Sequence, residues 1–174
     1  MTDTLQLALD SLRTRITGVL PAQVRAAVEA LSEEQIWWRP NESSNSVGNL
    51  VLHLSGSLDH YLNRNLGGLD FTRDRAAEFA ERREIPKAEL LARFDAMVAN
   101  AERTFDGMTV ARLSEPSPEP AMHTVVLQDL LNAVVHLSNH TGQIVWIAKM
   151  LREGAVDEVW IRTHRQLGAW KKKG

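Results

Sequence analysis

"VVHLSNHTGQIVW", Val134 to Trp146, is the stretch on which the reading of the fold turns. Its apolar side chains recur at intervals of three and four, the period of a helix face, and not at the interval of two that a strand needs. The same period runs outward through Leu127, Leu130 and Leu131 on one side and Ile147, Ala148 and Leu151 on the other. One long helix is therefore expected from about Thr124 to Glu153, stopped by Gly154. Apolar residues cover much of its circumference, which predicts a largely buried helix.

Three further helices are expected upstream. From Thr4 to Ala30, Leu5, Leu9, Leu12, Ile16, Val19, Leu20, Val24 and Val28 share one face, with a kink expected at Pro21. "SEEQ", Ser32 to Gln35, is a capping box ahead of a short turn that carries Trp37 and Trp38. Ser46 caps a second long helix reaching to about Leu66, ended by Gly67 and Gly68. Pro86 opens a third that runs to about Phe105, with Leu90, Phe94, Met97 and Ala101 on its apolar face. Between the second and third, Leu69 to Glu84 is too charged for a core element and reads as a surface crossing with one turn of helix. A crossing of that length leaves the third helix free to run parallel to the second. "SEPSPEP", Ser114 to Pro120, is a rigid connection, and no repeat or alternating run argues for a sheet. The expectation is an all-α four-helix bundle, a single domain over residues 1–174.

Composition narrows the function classes. The 174 residues are 44% apolar, enough for a core, and 20 Lys and Arg against 22 Asp and Glu give a net charge of −2, so no basic field points to nucleic acid. The lysines at 171–173 read as a solvated tail. No run of about 18 apolar residues could span a bilayer, and "MTDTLQLALDSLRTR" lacks the pattern of a secretion signal, so a cytoplasmic protein is expected. The chain has no cysteine, which leaves His, Asp and Glu as the only candidate metal ligands.

A second set of residues runs along the fourth helix at helical spacing: Asp129, Asn132, His136, His140 and Gln143. Leaving such groups buried without partners costs about 1 to 3 kcal/mol each. Three readings compete. The stripe faces water, or it forms a buried hydrogen-bond network, or its histidines, at i and i+4, hold a metal. Two ligands hold a metal poorly, and the second helix offers a third in His53, at the margin of its core stripe, with Gly56 leaving space one turn away. Three imidazoles from facing helices leave a coordination position open, the arrangement of a catalytic site and not of a closed structural one. His60, His123 and His164 read as residues at a pocket mouth or on the surface.

With these residues in place, the sequence resembles the DinB/YfiT-like superfamily of metal-dependent enzymes, in a branch of unknown function. The likeness is carried by "LSEEQIWWRP", "NSVGNLVLHLSGSL", "RDRAAEF" and "HLSNHTGQI" in that order, and most specifically by the lone histidine of helix two and the H-x-x-x-H-x-G-Q of helix four. The resemblance implies an up-down-down-up bundle in which His53, His136 and His140 are the metal ligands. It also implies a small-molecule substrate, with a low-molecular-weight thiol as the cosubstrate in some relatives.

Imidazole-only ligation favours zinc or nickel. On an enzyme reading the ion lowers the pKa of a water or substrate thiol, giving a hydrolase or a thiol-dependent transferase. A thiol cosubstrate suits a chain without cysteine. Gln143 is then a candidate for orienting the reacting group, and Asn49, Asp129 and Asn132 for holding imidazole N–H groups, unless they are ordinary packing or surface residues. No carboxylate stands out as a general base among Glu33, Glu34, Glu42, Glu78 and Glu102. The alternative is a non-catalytic bundle that binds a metal or small ligand. Exposed apolar faces on such a bundle would make it a homodimer.

Overall fold

In the computed structural model, which describes residues 4–82, 85–119 and 122–154, the first long helix, α1, changes pitch where the sequence places its proline. It is α-helical over Thr4–Arg13 and Leu20–Ala30, with a π-helical stretch, Thr14–Val19, between. Pro21 lacks an N–H, and its ring presses on the carbonyl four residues back. The wider π turn relieves this, with the Leu20 N–H bonding the Arg15 carbonyl. The disturbance expected at Pro21 thus takes the form of a π stretch upstream of it.

The short helix α2, Glu33–Trp37, opens on the expected capping box: Ser32 Oγ accepts from the Gln35 N–H at 3.1 Å, and Gln35 Oε1 accepts from the Ser32 N–H at 2.9 Å. The two tryptophans part company at its end. Trp37 is buried and donates its Nε1–H to the Ile85 carbonyl at 3.2 Å, whereas Trp38 stays 37% exposed. Trp37 lies so close to Gly48 that a Cβ there would come within 2.8 Å of the indole, which is why the first turn of the next helix carries a glycine.

Helix α3, Val47–Leu58, continues as a π-helix over Asp59–Arg64. Ser46 caps it, with Ser46 Oγ accepting from the Asn49 N–H at 3.1 Å and Asn49 Oδ1 accepting from the Ser46 N–H at 3.3 Å. Every residue of Val47–Leu58 except Gly56 is buried. The crossing that follows carries α4, Arg75–Ala80, capped by Asp74. Then come α5, Lys87–Asp106, with Pro86 one position earlier than expected, at its N-cap, and α6, Val126–Leu151. The chain leaves α6 through Gly154, whose φ of 71° suits a residue without a Cβ. Among the described residues there is no strand, only an isolated antiparallel bridge between Pro116 and Val125. No helix of the described residues is long and apolar enough to cross a membrane.

Four of the six helices are long, and each packs on two of the others: α1 on α5 and α6, and α3 on α5 and α6. Their inward faces meet in one cluster that includes Ile16, Val24, Leu54, Leu58, Phe94, Met97, Leu137 and Ile144. Two expectations need correcting. The helix buried on all sides is α3, because α4 covers the face that α5 and α6 leave open. Helix α6, expected to be largely buried, instead leaves Leu131, Val135, Trp146 and Met150 exposed. The crossing from Leu69 onward is likewise no simple surface segment, since it inserts Arg73 and Glu78 against α3 with side chains only 8% exposed. His164 and the terminal lysines lie outside the described residues.

Candidate metal centre

His53 sits at the middle of α3, where burial on every side leaves its imidazole 5% exposed and in need of partners. Two turns of α6 face it, and the spacing of His136 and His140 brings both rings against the first. The three ring centroids are 4.6 to 5.0 Å apart, each pair meeting edge to face. One ring nitrogen from each residue lies within 4.8 Å of those from the other two, so the three could hold a single ion with small side-chain rotations.

The outer nitrogens are held from behind. His53 Nδ1 lies 2.9 Å from Glu78 Oε2, and Arg73 donates to the same carboxylate in a two-pronged pair, Nε to Oε1 at 2.7 Å and Nη2 to Oε2 at 2.8 Å. Burial pushes the Glu78 carboxyl up, but the hydrogen bonds from Arg73 and His53 outweigh it and hold the group below its ordinary value. Arg73 Nη2 also lies 3.2 Å from His53 Nδ1. The shorter contact is to an ionised Glu78, which can only accept, so Nδ1 carries the proton and the Nε2 lone pair is left for an ion. Gly56 makes this possible: a Cβ there would stand 2.1 Å from Glu78 Oε1. The room that the sequence left at Gly56 is filled by the carboxylate. Phe79 completes the wall, its ring 4.7 Å from that of His53.

On α6, His140 donates its Nδ1–H to Gln143 Oε1 at 2.8 Å. His136 Nε2 is buried without any hydrogen-bond partner. Burial, reinforced by the neighbouring His140 and His53, lowers the His136 pKa from 6.5 to about 4, and burial lowers that of His140 as well. At neutral pH His136 and His140 therefore present neutral imidazoles, whose nitrogens converge with one from His53 and suit a cation. The donor set fits a divalent ion.

The chain matches, over residues 5–165, the family described as "Protein of unknown function (DUF1572)". It belongs to the DUF1572 family. No curated protein matches it.

Other residues singled out in the DUF1572 chain are placed differently. Asn49 does not reach an imidazole: its Nδ2 donates to the carbonyls of Glu78 and Glu81 at 3.0 and 3.2 Å, so it ties down the segment that carries Glu78. Asp129 accepts from Ser117 Oγ at 3.0 Å and lies 2.7 Å from His123 Nδ1, away from the trio. That bond leaves His123 half-buried, where exposure was expected. Asn132 lines the 450 Å³ cavity that opens over the trio. Gln143 touches His140, so it is Gln143 that does the imidazole-holding expected of Asn49 and Asp129. His60 is partly buried, 3.7 Å from Glu119 and outside the trio. Arg73 was missed as a site residue, and Glu78 was named only among carboxylates that did not stand out as a base. Their only sequence signal was "RDRAAEF" itself, a charged run whose spacing gives no hint that two of its members turn inward.

Proposed function

We propose that this DUF1572 protein is a divalent-metal-dependent enzyme acting on a small organic molecule, with His53, His136 and His140 as the metal ligands. The observation that carries the reading is the convergence of three imidazole nitrogens within 4.8 Å, one of them buried without a partner. Three protein ligands favour a catalytic role, because structural zinc sites are closed by four. A zinc or nickel ion held there supplies Lewis acidity that converts a thiol or water to its anionic form near neutral pH. Glu78 and Gln143 keep the protons of His53 and His140 on Nδ1, while Phe79 screens His53 from water. A transferase reaction would take its sulfur from a low-molecular-weight thiol, which suits a chain without cysteine and a cytoplasmic protein. A hydrolase would use water in the same position.

The reading extends to a DinB/YfiT-like architecture: one domain, a four-helix bundle running up-down-down-up. Support comes from four long helices that each pack on two others and from the long crossing between α3 and α5. The exposed Leu131 and Val135 on α6 favour a homodimer.

A second reading, a non-catalytic binder of metal or small ligand, has one observation in its favour. Among the described residues lining the cavity there is no carboxylate free to act as a base, since Glu78 is held by Arg73 behind the rings. Elemental analysis of the purified protein should find about one zinc or nickel ion per chain. Loaded protein mixed with low-molecular-weight thiols and electrophiles should consume both. Metal without turnover assigns the binder, and a chain that takes up no divalent ion overturns both readings.

A further inference from the structure

Beside the three histidines lies a second cavity of about 560 Å³, the size of pocket that encloses a small organic ligand. The two cavities share Asn45, and between them stands the hydrogen-bonded pair His140 and Gln143. Among the described residues, none of the side chains lining the second cavity is charged. Trp38 and Trp146 border it while remaining 37% and 64% exposed, an unusual state for two indoles in one pocket. Their polar neighbours Asn45, Asn139 and Gln143 offer neutral amides only.

Gly142 adds an independent observation. A glycine inside a helix as long as α6 destabilises it relative to alanine. Gly48 and Gly56 answer to close neighbours, but a methyl at Gly142, as at Gly18 on α1, would meet no described protein atom within 4 Å. Among the described residues, no packing takes up the space over Gly142, which is exposed. It opens into the second cavity, one turn from Trp146 and next to Gln143.

We propose that this cavity binds an uncharged aromatic group of the substrate, stacked on Trp38 and Trp146 over Gly142, while the reactive end of the same molecule lies at the three histidines. A charged group would enter without a counter-ion and lose its hydration, whereas a neutral ring gains contact with two indoles and hydrogen bonds from the amides. The inference deepens the proposed function and rests on it for the position of the reactive end.

The test uses two fluorescent probes that share one scaffold, neutral N-phenyl-1-naphthylamine and its anionic relative 1-anilinonaphthalene-8-sulfonate, titrated into full-length protein whose metal content is measured in the same samples. The neutral probe should bind saturably and more tightly than the sulfonate. Gly142→Leu, which fills the space, and Trp38→Ala, which removes a wall, should each weaken it about tenfold or more. Gly142→Leu should keep its metal and its circular dichroism spectrum. Metal retained without Gly142-dependent probe binding overturns the pocket and leaves the metal centre standing. Gly142-dependent probe binding in a chain that takes up no metal overturns the proposed function and leaves the pocket standing. Equal binding of the two probes, or an affinity set by self-association of the chain, also overturns the pocket.

Discussion

The Nδ1 atom of His53 lies 2.9 Å from Oε2 of Glu78, with both side chains less than a tenth exposed. The contact joins the centre of α3 to a short helix in a charged crossing, and Arg73 balances the carboxylate from the same crossing. It fixes which nitrogen of His53 carries the proton, and so which faces His136 and His140.

Replacing Glu78 should separate fold from affinity. Glu78→Gln keeps the shape but loses the charge that holds the His53 proton, so metal affinity should fall about 10- to 100-fold, read by competition with a chromogenic chelator. Glu78→Ala strands Arg73 as a buried unpaired cation and should also cost about 3 to 5 kcal/mol in denaturant unfolding. An unchanged affinity in Glu78→Gln would show that the carboxylate serves the fold alone.

Gly56→Ala tests the same contact from the other side. The new methyl would stand 2.1 Å from Glu78 Oε1, so the carboxylate must leave His53 or the crossing must move. A loss of about 1 to 3 kcal/mol is expected, as for overpacked cores, together with weakened metal uptake. Full stability with full metal affinity would mean that the crossing is not seated as described.

In the metal-free protein, stability should decline as pH falls from about 6.5 toward 4. The His136 pKa is lowered from 6.5 to about 4, so between those values the unfolded chain binds a proton that the folded chain refuses. Stability therefore rises with pH across that window and is lost on acidification. His140 and His60, also lowered, act in the same direction, while Glu78 adds its own loss below the ordinary carboxylate range. Thermal melts of wild type and His136→Asn from pH 7.5 to 4 should show a shallower decline in the variant. Parallel curves would refute the burial of His136.

The helices were legible because each is long, periodic and marked at its ends: Ser32 and Ser46 form capping boxes, Pro86 and Gly154 bound helices, and the histidine spacing on α6 needs only a helix to bring two rings together. Burial around each helix was less legible, because it depends on neighbours. Nothing in the apolar pattern of α6 says that Trp146 and Val135 stay exposed, or that α4 lies over α3. Arg73 and Glu78 were hidden for a related reason. Each charge is tolerable inside only because the other is there, and a pair five residues apart in a charged run resembles solvated surface until the fold brings His53 against its carboxylate. Asn49 was misread because its position at a helix start gave its side chain backbone partners first.

Finally, the ligand set can be separated from other histidines on the same helices. His136→Ala should abolish uptake of the ion, because two imidazoles hold it poorly, and should not unfold the chain, because it removes a buried nitrogen that has no partner. His60→Ala changes a histidine of the same helix as His53, also partly buried and also with an unpartnered nitrogen, but one that stands against Glu119 and outside the trio. It should retain about one ion per chain, with the affinity of wild type. Elemental analysis after dialysis against a weak chelator distinguishes the two. Metal retained in His136→Ala, or lost in His60→Ala, would place the ion elsewhere in this helix pair, and the roles of Glu78 and Gln143 would fall with the assignment, since both act only through His53 and His140.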